Sequence, residues 1–142
     1  MEAKVKWIDQ VNFRGESDSG HQVMMDGPNE LGGENKGMRP MELILLGMAG
    51  CTSFDVVTIL KKSRQSIKSC EALISAERAN KAPKVFTKIH IRFMIEGNDL
   101  DEGSVERAIR LSAEKYCSAT IMLSKSVEIT HDFRITKQQK TT

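Results

Sequence analysis

The chain has 142 residues, 39% hydrophobic and 28% charged, which fits one ordinary globular domain able to bury a core without disulfides. Its 21 basic and 19 acidic residues leave a net charge of +2, too balanced for a nucleic-acid or polybasic membrane surface, and aromatics at 5% argue against base stacking. The three cysteines, Cys51, Cys70 and Cys117, are an odd number without framework spacing, so reduced thiols and a cytoplasmic setting are expected.

The opening MEAKVKWIDQ carries an acid at position 2 and no apolar h-region, so no secretory signal is expected. AKVKWI alternates, with Val5 and Trp7 on one face and Lys4 and Lys6 on the other. HQVMMDG is a short apolar run closed by an Asp-Gly turn signal. GPNELGGENKG reads as a flap or connecting loop; its glycines are not followed by Lys-Ser/Thr, so it is no phosphate cradle. These strands and the Gly-rich loop occupy residues 1–39.

A central helix is expected over residues 40–63, with Pro40 at its first position. About 22 residues make it roughly 33 Å long. RPMELILLGMAGCTSFDVVTILKK is apolar nearly all round, which predicts a helix covered on most sides. Glu42 and Asp55 inside it, and Lys61, Lys62 and Arg64 at its end, favour a soluble core over a membrane span. Gly47 and Gly50 lower helix propensity by about 1 kcal/mol each relative to Ala, and their expected use is close approach of another backbone near Cys51.

Residues 64–135 read as strand pair, helix, strand. SIKSCEALISAERA places Cys70, Ala72, Ile74 and Ala76 on one face; VFTKIHIRFMIEG sets Phe86, Lys88, His90 and Arg92 against Val85, Thr87, Ile89, Ile91, Phe93 and Ile95. With APK as the turn, this is an antiparallel hairpin with one wet face. Asp99 and Glu102 have capping-box spacing for a second helix running to Cys117. SVEITHDFRI alternates as a last strand, and residues 136–142 read as a frayed tail. The whole is a single α+β domain.

Taken alone, Cys51 and Cys117 each read as buried core thiols, and their separation in sequence does not show that they meet. Cys70 reads as core. His21, His90 and His131 are scattered, without HxxxH or CxxC, so no metal or cofactor is expected. Asp55, one turn after Cys51, is read as pairing with a basic residue such as Lys62 or Arg92, or with a partner subunit, rather than as a catalytic group. The methionines at 24, 25, 38, 41 and 48 read as core or interface filling, or as the wall of an apolar pocket.

PMELILLGMAGC, with Pro40, Leu43 and Ala49-Gly50-Cys51, resembles the signature of the OsmC-like family, the osmotically inducible protein C and organic hydroperoxide resistance group. AEKYCSATIMLSKSVEITHDF resembles its second-cysteine segment, with Cys117, Leu123, Val127 and Ile129. The resemblance runs from about Val5 to Phe133. It implies antiparallel sheets around a long buried helix in an intertwined homodimer. It also implies a thiol peroxidase, in which Cys51 attacks an organic hydroperoxide, Cys117 resolves the sulfenic acid as a disulfide, and a dithiol reductant restores both. A non-catalytic dimer of the same fold, structural or binding a small apolar ligand, is the alternative. No nucleic acid or membrane partner is expected.

The chemistry sets a requirement. A thiol near pKa 8.5 is only about 3% thiolate at pH 7, and lowering it to about 6 takes about 3.4 kcal/mol. Cys51 lies about 16 Å along the helix from Pro40, beyond reach of the helix dipole. The family uses an Arg–Glu pair; Arg39 and Arg14 are the available arginines, Arg39 being preferred because it adjoins the helix start, and Glu42 is the candidate acid. The family's glutamate often directly follows the proline, where this chain has Met41; Ser118 stands where proline commonly follows the second cysteine. Glu42 can therefore also be read as a partner of the helix N-terminus alone.

Overall fold

The computed structural model describes residues 1–137, and these divide into two compact units, one ending at Leu45 and the other beginning at Leu46. In the first unit, β1 (Ala3–Asp9), β2 (Asn12–Ser17) and β3 (Gln22–Met25) form an antiparallel sheet in chain order. The alternation of β1 carries across it. Val5 pairs with Gly15 and Gly15 with Val23, while Trp7 pairs with Phe13 and Phe13 with Met25, so one face is apolar. Val5 and Trp7 are left more than 60% exposed on that face.

The Gly-rich segment after β3 is not a loose flap. Asp26 is buried, and its carboxylate accepts backbone N–H groups from Gly27 (2.8 Å), Glu34 (3.1 Å) and Lys36 (2.9 Å). Those bonds draw the segment around one charge and hold the Asp26 carboxyl below its usual range, the Lys36 N–H contributing most. Gly33 and Gly37 are required there because a Cβ on either would collide with backbone, that of Gly27 and of Met24 respectively.

Helix α1 spans Pro40–Lys62. Glu42, its third residue, reaches back and accepts the Arg39 backbone N–H at 2.9 Å, one half of a capping box. Its C-terminus closes with Arg64 in the left-handed region (φ 60°), its N–H on the Lys61 carbonyl, and Gln65 N–H on the Leu60 carbonyl. Lys61 and Lys62 sit in the last turn, where cations suit the helix dipole.

In the second unit Met48, Ala49, Thr52, Val56 and Leu60 make one buried stripe of α1. Hairpin β4 (Ser66–Arg78) and β5 (Phe86–Asn98) follows, then α2 (Glu102–Leu111), a π-helical turn over Ser112–Tyr116, α3 (Ser118–Leu123) and β6 (Glu128–Lys137). Ile89, Ile91, Phe93 and Ile95 of the middle strand β5 are fully or almost fully buried, as are Val105 and Ala108 of α2. Burying a side chain of this size is worth roughly 1.5–3 kcal/mol, so β5, α2 and the α1 stripe carry this unit's apolar stability. The α+β class holds.

Several expectations are corrected. The sheet of β4, β5 and β6 is mixed: β4–β5 is antiparallel, but β6 runs parallel to β5 from Lys88↔Glu128 to Gly97↔Lys137. The helical crossover between them returns the chain to the starting end of β5, which parallel pairing requires. Phe86 is buried rather than on the wet face, because the register shifts between Glu77 and Arg78. The cap of α2 is Asp101, which accepts Ser104 N–H at 2.7 Å; Asp99 takes φ 48° ahead of it. The second helix does not run unbroken to Cys117. Thr136 and Lys137, expected in the tail, belong to β6, and the rest of that tail lies outside the described residues.

The central helix is less covered than expected. It is long and apolar enough to cross a membrane by length and composition, and 28% of its most apolar window is buried. Leu46 and Phe54 are exposed, and among the described residues nothing lies within 4 Å of a Cβ placed on Gly47 or Gly50, so none of them brings another backbone close to these glycines.

Candidate active site

The second unit brings Cys51 and Cys117 together. Cys51 is half-buried on α1, at the edge of the stripe that packs inward. Cys117 is fully buried between the π-turn and α3. Burial pushes its thiol up, hydrogen bonding from Thr120 opposes this, and Cys51 is close enough to raise it further through hydrogen bonding and charge. Cys117 is also the N-cap of α3: its sulfur accepts the Thr120 backbone N–H at 3.3 Å. Neighbouring thiols of which one is held neutral by burial suit a nucleophile–resolver pair, since the resolving thiol has to stay intact until its partner is oxidised.

A buried polar cluster adjoins the pair. Thr52, the residue after Cys51, and Ser112, the first of the π-turn, are both fully buried, with hydroxyl oxygens 2.8 Å apart. Ser112 Oγ also donates to Asp55 Oδ2 at 3.0 Å. Asp55 thus has a partner, and it is neither of the basic residues Lys62 and Arg92 considered for it. Thr52 and Ser112 were missed in the sequence. Their signal was positional: small hydroxyl residues in otherwise apolar stripes, Thr52 with Met48, Val56 and Leu60, and Ser112 with Val105, Ala108 and Ile109.

Arg39 and Glu42 are engaged in the first unit. The Arg39 guanidinium donates to Asn35 Oδ1 (3.1 Å) and the Gly37 carbonyl (3.3 Å), fastening the Gly-rich loop, while Glu42 caps the start of α1. Cys70 lies on the inner face of β4, opposite Ile95, and burial pushes its thiol up.

A groove of about 690 Å³ opens beside the polar cluster. Phe54, Asp55 and Ile59 of α1 line it with Arg107 and Leu111 of α2 and Tyr116 of the π-turn. Its walls mix Phe54, Ile59 and Leu111 with the charged Asp55, Lys62 and Arg107, and its size suits a small organic molecule. Neither cysteine lines it; Asp55, one turn beyond Cys51, does.

A family model described as OsmC-like protein matches residues 33–132. Protein YhfA of Escherichia coli K12 is 46% identical over 135 residues, covering 95% of this chain and 98% of that one. The crystal structure of a hypothetical protein from Aquifex aeolicus is similar at TM-score 0.85 and 29% identity, over 97% of both chains. An organic hydroperoxide resistance protein OsmC from Legionella pneumophila is similar at TM-score 0.69 and 18% identity, over 93% of this chain and 94% of that one, a likeness of fold.

Proposed function

From the premise that this chain belongs to the OsmC-like family, we propose that it is a thiol-dependent peroxidase for organic hydroperoxides. The observation that carries the reading is the meeting of a half-buried Cys51 with a fully buried Cys117. The Cys51 thiolate attacks the terminal peroxide oxygen, the O–O bond breaks, and the alkoxide leaves with a proton as the alcohol. Cys51 is then a sulfenic acid. The Cys117 thiol displaces its hydroxyl as water, forming a Cys51–Cys117 disulfide, and an external dithiol reduces that bond to two thiols. The groove lined by Phe54, Ile59 and Leu111 supports an apolar organic group on the peroxide.

The proposal includes a homodimer working in the reducing cytoplasm. The exposed apolar face of α1 and the exposed Val5 and Trp7 of β1 support a second copy of the chain as their cover. The local engagement of Arg39 and Glu42 favours a second reading, a dimer of this fold that binds a small apolar molecule without redox chemistry, because both groups already hold structural roles at the start of α1.

The experiment is a thiol count after one equivalent of cumene hydroperoxide. Loss of two thiols with a Cys51–Cys117 disulfide in the peptide map is expected. Cys51→Ser should abolish consumption, and Cys117→Ser should leave a trappable sulfenic acid. Unchanged thiols would replace this reading with the binding one.

A further inference from the structure

We propose that Ser112, gripped by Thr52 and Asp55, is a positioning residue that sets Cys117 against Cys51 for disulfide closure; this rests on the redox reading above. The grip begins in α1. The Ser112 hydroxyl has two acceptor-only neighbours, the Asp55 carboxylate at 3.0 Å and the Thr52 carbonyl at 3.5 Å; the nearer, charged one takes its single proton, and the Thr52 hydroxyl donates to Ser112 across 2.8 Å. Both donors are committed, and Thr52 and Ser112 are fully buried, where an unmatched hydroxyl is expensive. The side chain of Ser112 is thereby fastened to two α1 residues just after Cys51, one position and one turn onward.

The backbone of Ser112 holds the other end. Its carbonyl accepts the Cys117 N–H at 2.8 Å, an i to i+5 bond that closes the π-turn. An uninterrupted α-helix would bond residue 117 to residue 113 and turn the Cys117 side chain away by about one residue's rotation, 100°. The extra residue ends the helix at Cys117 instead, in extended backbone (φ −74°, ψ 102°), where its sulfur can cap α3. π-Turns of this kind recur at functional sites because they re-aim one side chain. One residue therefore ties the helix of one thiol to the backbone of the other. Neither Ser112 nor Thr52 is assigned contact with substrate; both act through Cys117.

The test measures how strongly the protein holds its two thiols together, independently of any peroxide. The full-length protein is equilibrated with graded mixtures of glutathione and glutathione disulfide, in which the protein dithiol is oxidised as one glutathione disulfide becomes two glutathiones, and Cys51–Cys117 is read by peptide mapping. Ser112→Ala should lower the effective concentration of the pair at least about tenfold, a shift of about 30 mV toward easier reduction. Ser112→Thr, which keeps the hydroxyl, should restore it to within about threefold. Thr52→Val, isosteric and milder, covers the case in which Ser112→Ala does not fold and should give about a threefold drop. The inference is overturned by variants that match the wild type within twofold, or by a wild type that forms no such disulfide from glutathione. A wild type that closes the disulfide with glutathione but not with cumene hydroperoxide would sink the peroxidase reading and leave the positioning role standing.

Discussion

Arg92 and Asp132, side by side on the parallel strands β5 and β6, make a two-pronged ion pair: Nε to Oδ1 at 2.8 Å and Nη2 to Oδ2 at 2.6 Å. His90 Nε2 approaches Oδ1 from the other side at 3.2 Å. The guanidinium, with help from His90, brings the Asp132 carboxyl down from the usual carboxylate range to about 2. A depressed carboxyl adds stability that is complete above its unfolded pKa, near 3.9, and is lost as pH falls through the folded value. The stability of the wild type should therefore drop between about pH 4 and pH 2. Asp132→Asn should flatten that part of the curve, checked by urea midpoints at stepped pH. Both side chains are about 40% exposed, so solvent and salt weaken the pair and the effect should shrink in 0.5 M NaCl.

His131 predicts a second pH dependence, one step higher. Its ring stacks on Phe93 at 6.3 Å between centroids, and its buried Nε2 has no hydrogen-bond partner among the described residues. Burial, then the charge of His90, pushes its pKa below the ordinary histidine value. The unfolded chain then binds a proton near pH 6.5 that the folded chain refuses, so stability is complete above about 6.5 and declines as pH falls below it. His131→Phe keeps the stack and removes the titration. Urea midpoints should be nearly level between pH 7 and pH 5.5 in the variant and should fall in the wild type.

Much of this architecture was legible in the residues, and what was not has physical reasons. The alternation of VFTKIHIRFMIEG gave the buried face of β5, because side chains alternate across any strand. It carried no information on the direction of β6, since parallel and antiparallel partners bury the same face. Cys51 and Cys117 were recognisable through the segments around them, while Thr52 and Ser112 looked like tolerated small residues in apolar stripes; only their mutual distance gives them meaning. Asp99 has capping-box spacing to Glu102 and Asp101 does not, so only the backbone, with Asp99 in the left-handed region, shows that Asp101 is the cap. An all-round apolar helix implies cover on every side, yet the pattern does not say which chain provides it.

Asp26 should govern the order of the segment between β3 and α1. Its carboxylate is the shared acceptor for Gly27, Glu34 and Lys36, so the fold of this segment depends on one negative charge. Asp26→Ala removes all three acceptors. The expected result is rapid cleavage by a nonspecific protease between residues 27 and 37, together with loss of hydrogen-exchange protection at the Glu34 and Lys36 amides. Asp26→Asn keeps one carbonyl oxygen and should fall between wild type and Ala. If all three proteins show the same protection, the loop is held by its glycine geometry and not by the carboxylate.

Gly33 and Gly50 should respond in opposite ways to the same change. A methyl group on Gly33 meets the Gly27 carbonyl, a backbone atom that cannot swing aside, so Gly33→Ala should destabilise the protein by about 1–3 kcal/mol. A methyl group on Gly50 meets open space, and alanine is favoured over glycine inside a helix by about 1 kcal/mol. In an isolated chain Gly50→Ala would therefore be stabilising. Gly50 lies next to Cys51 on an α1 whose Leu46 and Phe54 are exposed, the face proposed to receive a second copy. Glycine at such a contact permits close backbone approach, and a methyl group would hold the two surfaces apart. Gly50→Ala should thus weaken self-association, read as a higher dimer dissociation constant in sedimentation velocity, while the thermal midpoint extrapolated to low protein concentration rises. An unchanged dissociation constant would place the contact between copies away from Gly50.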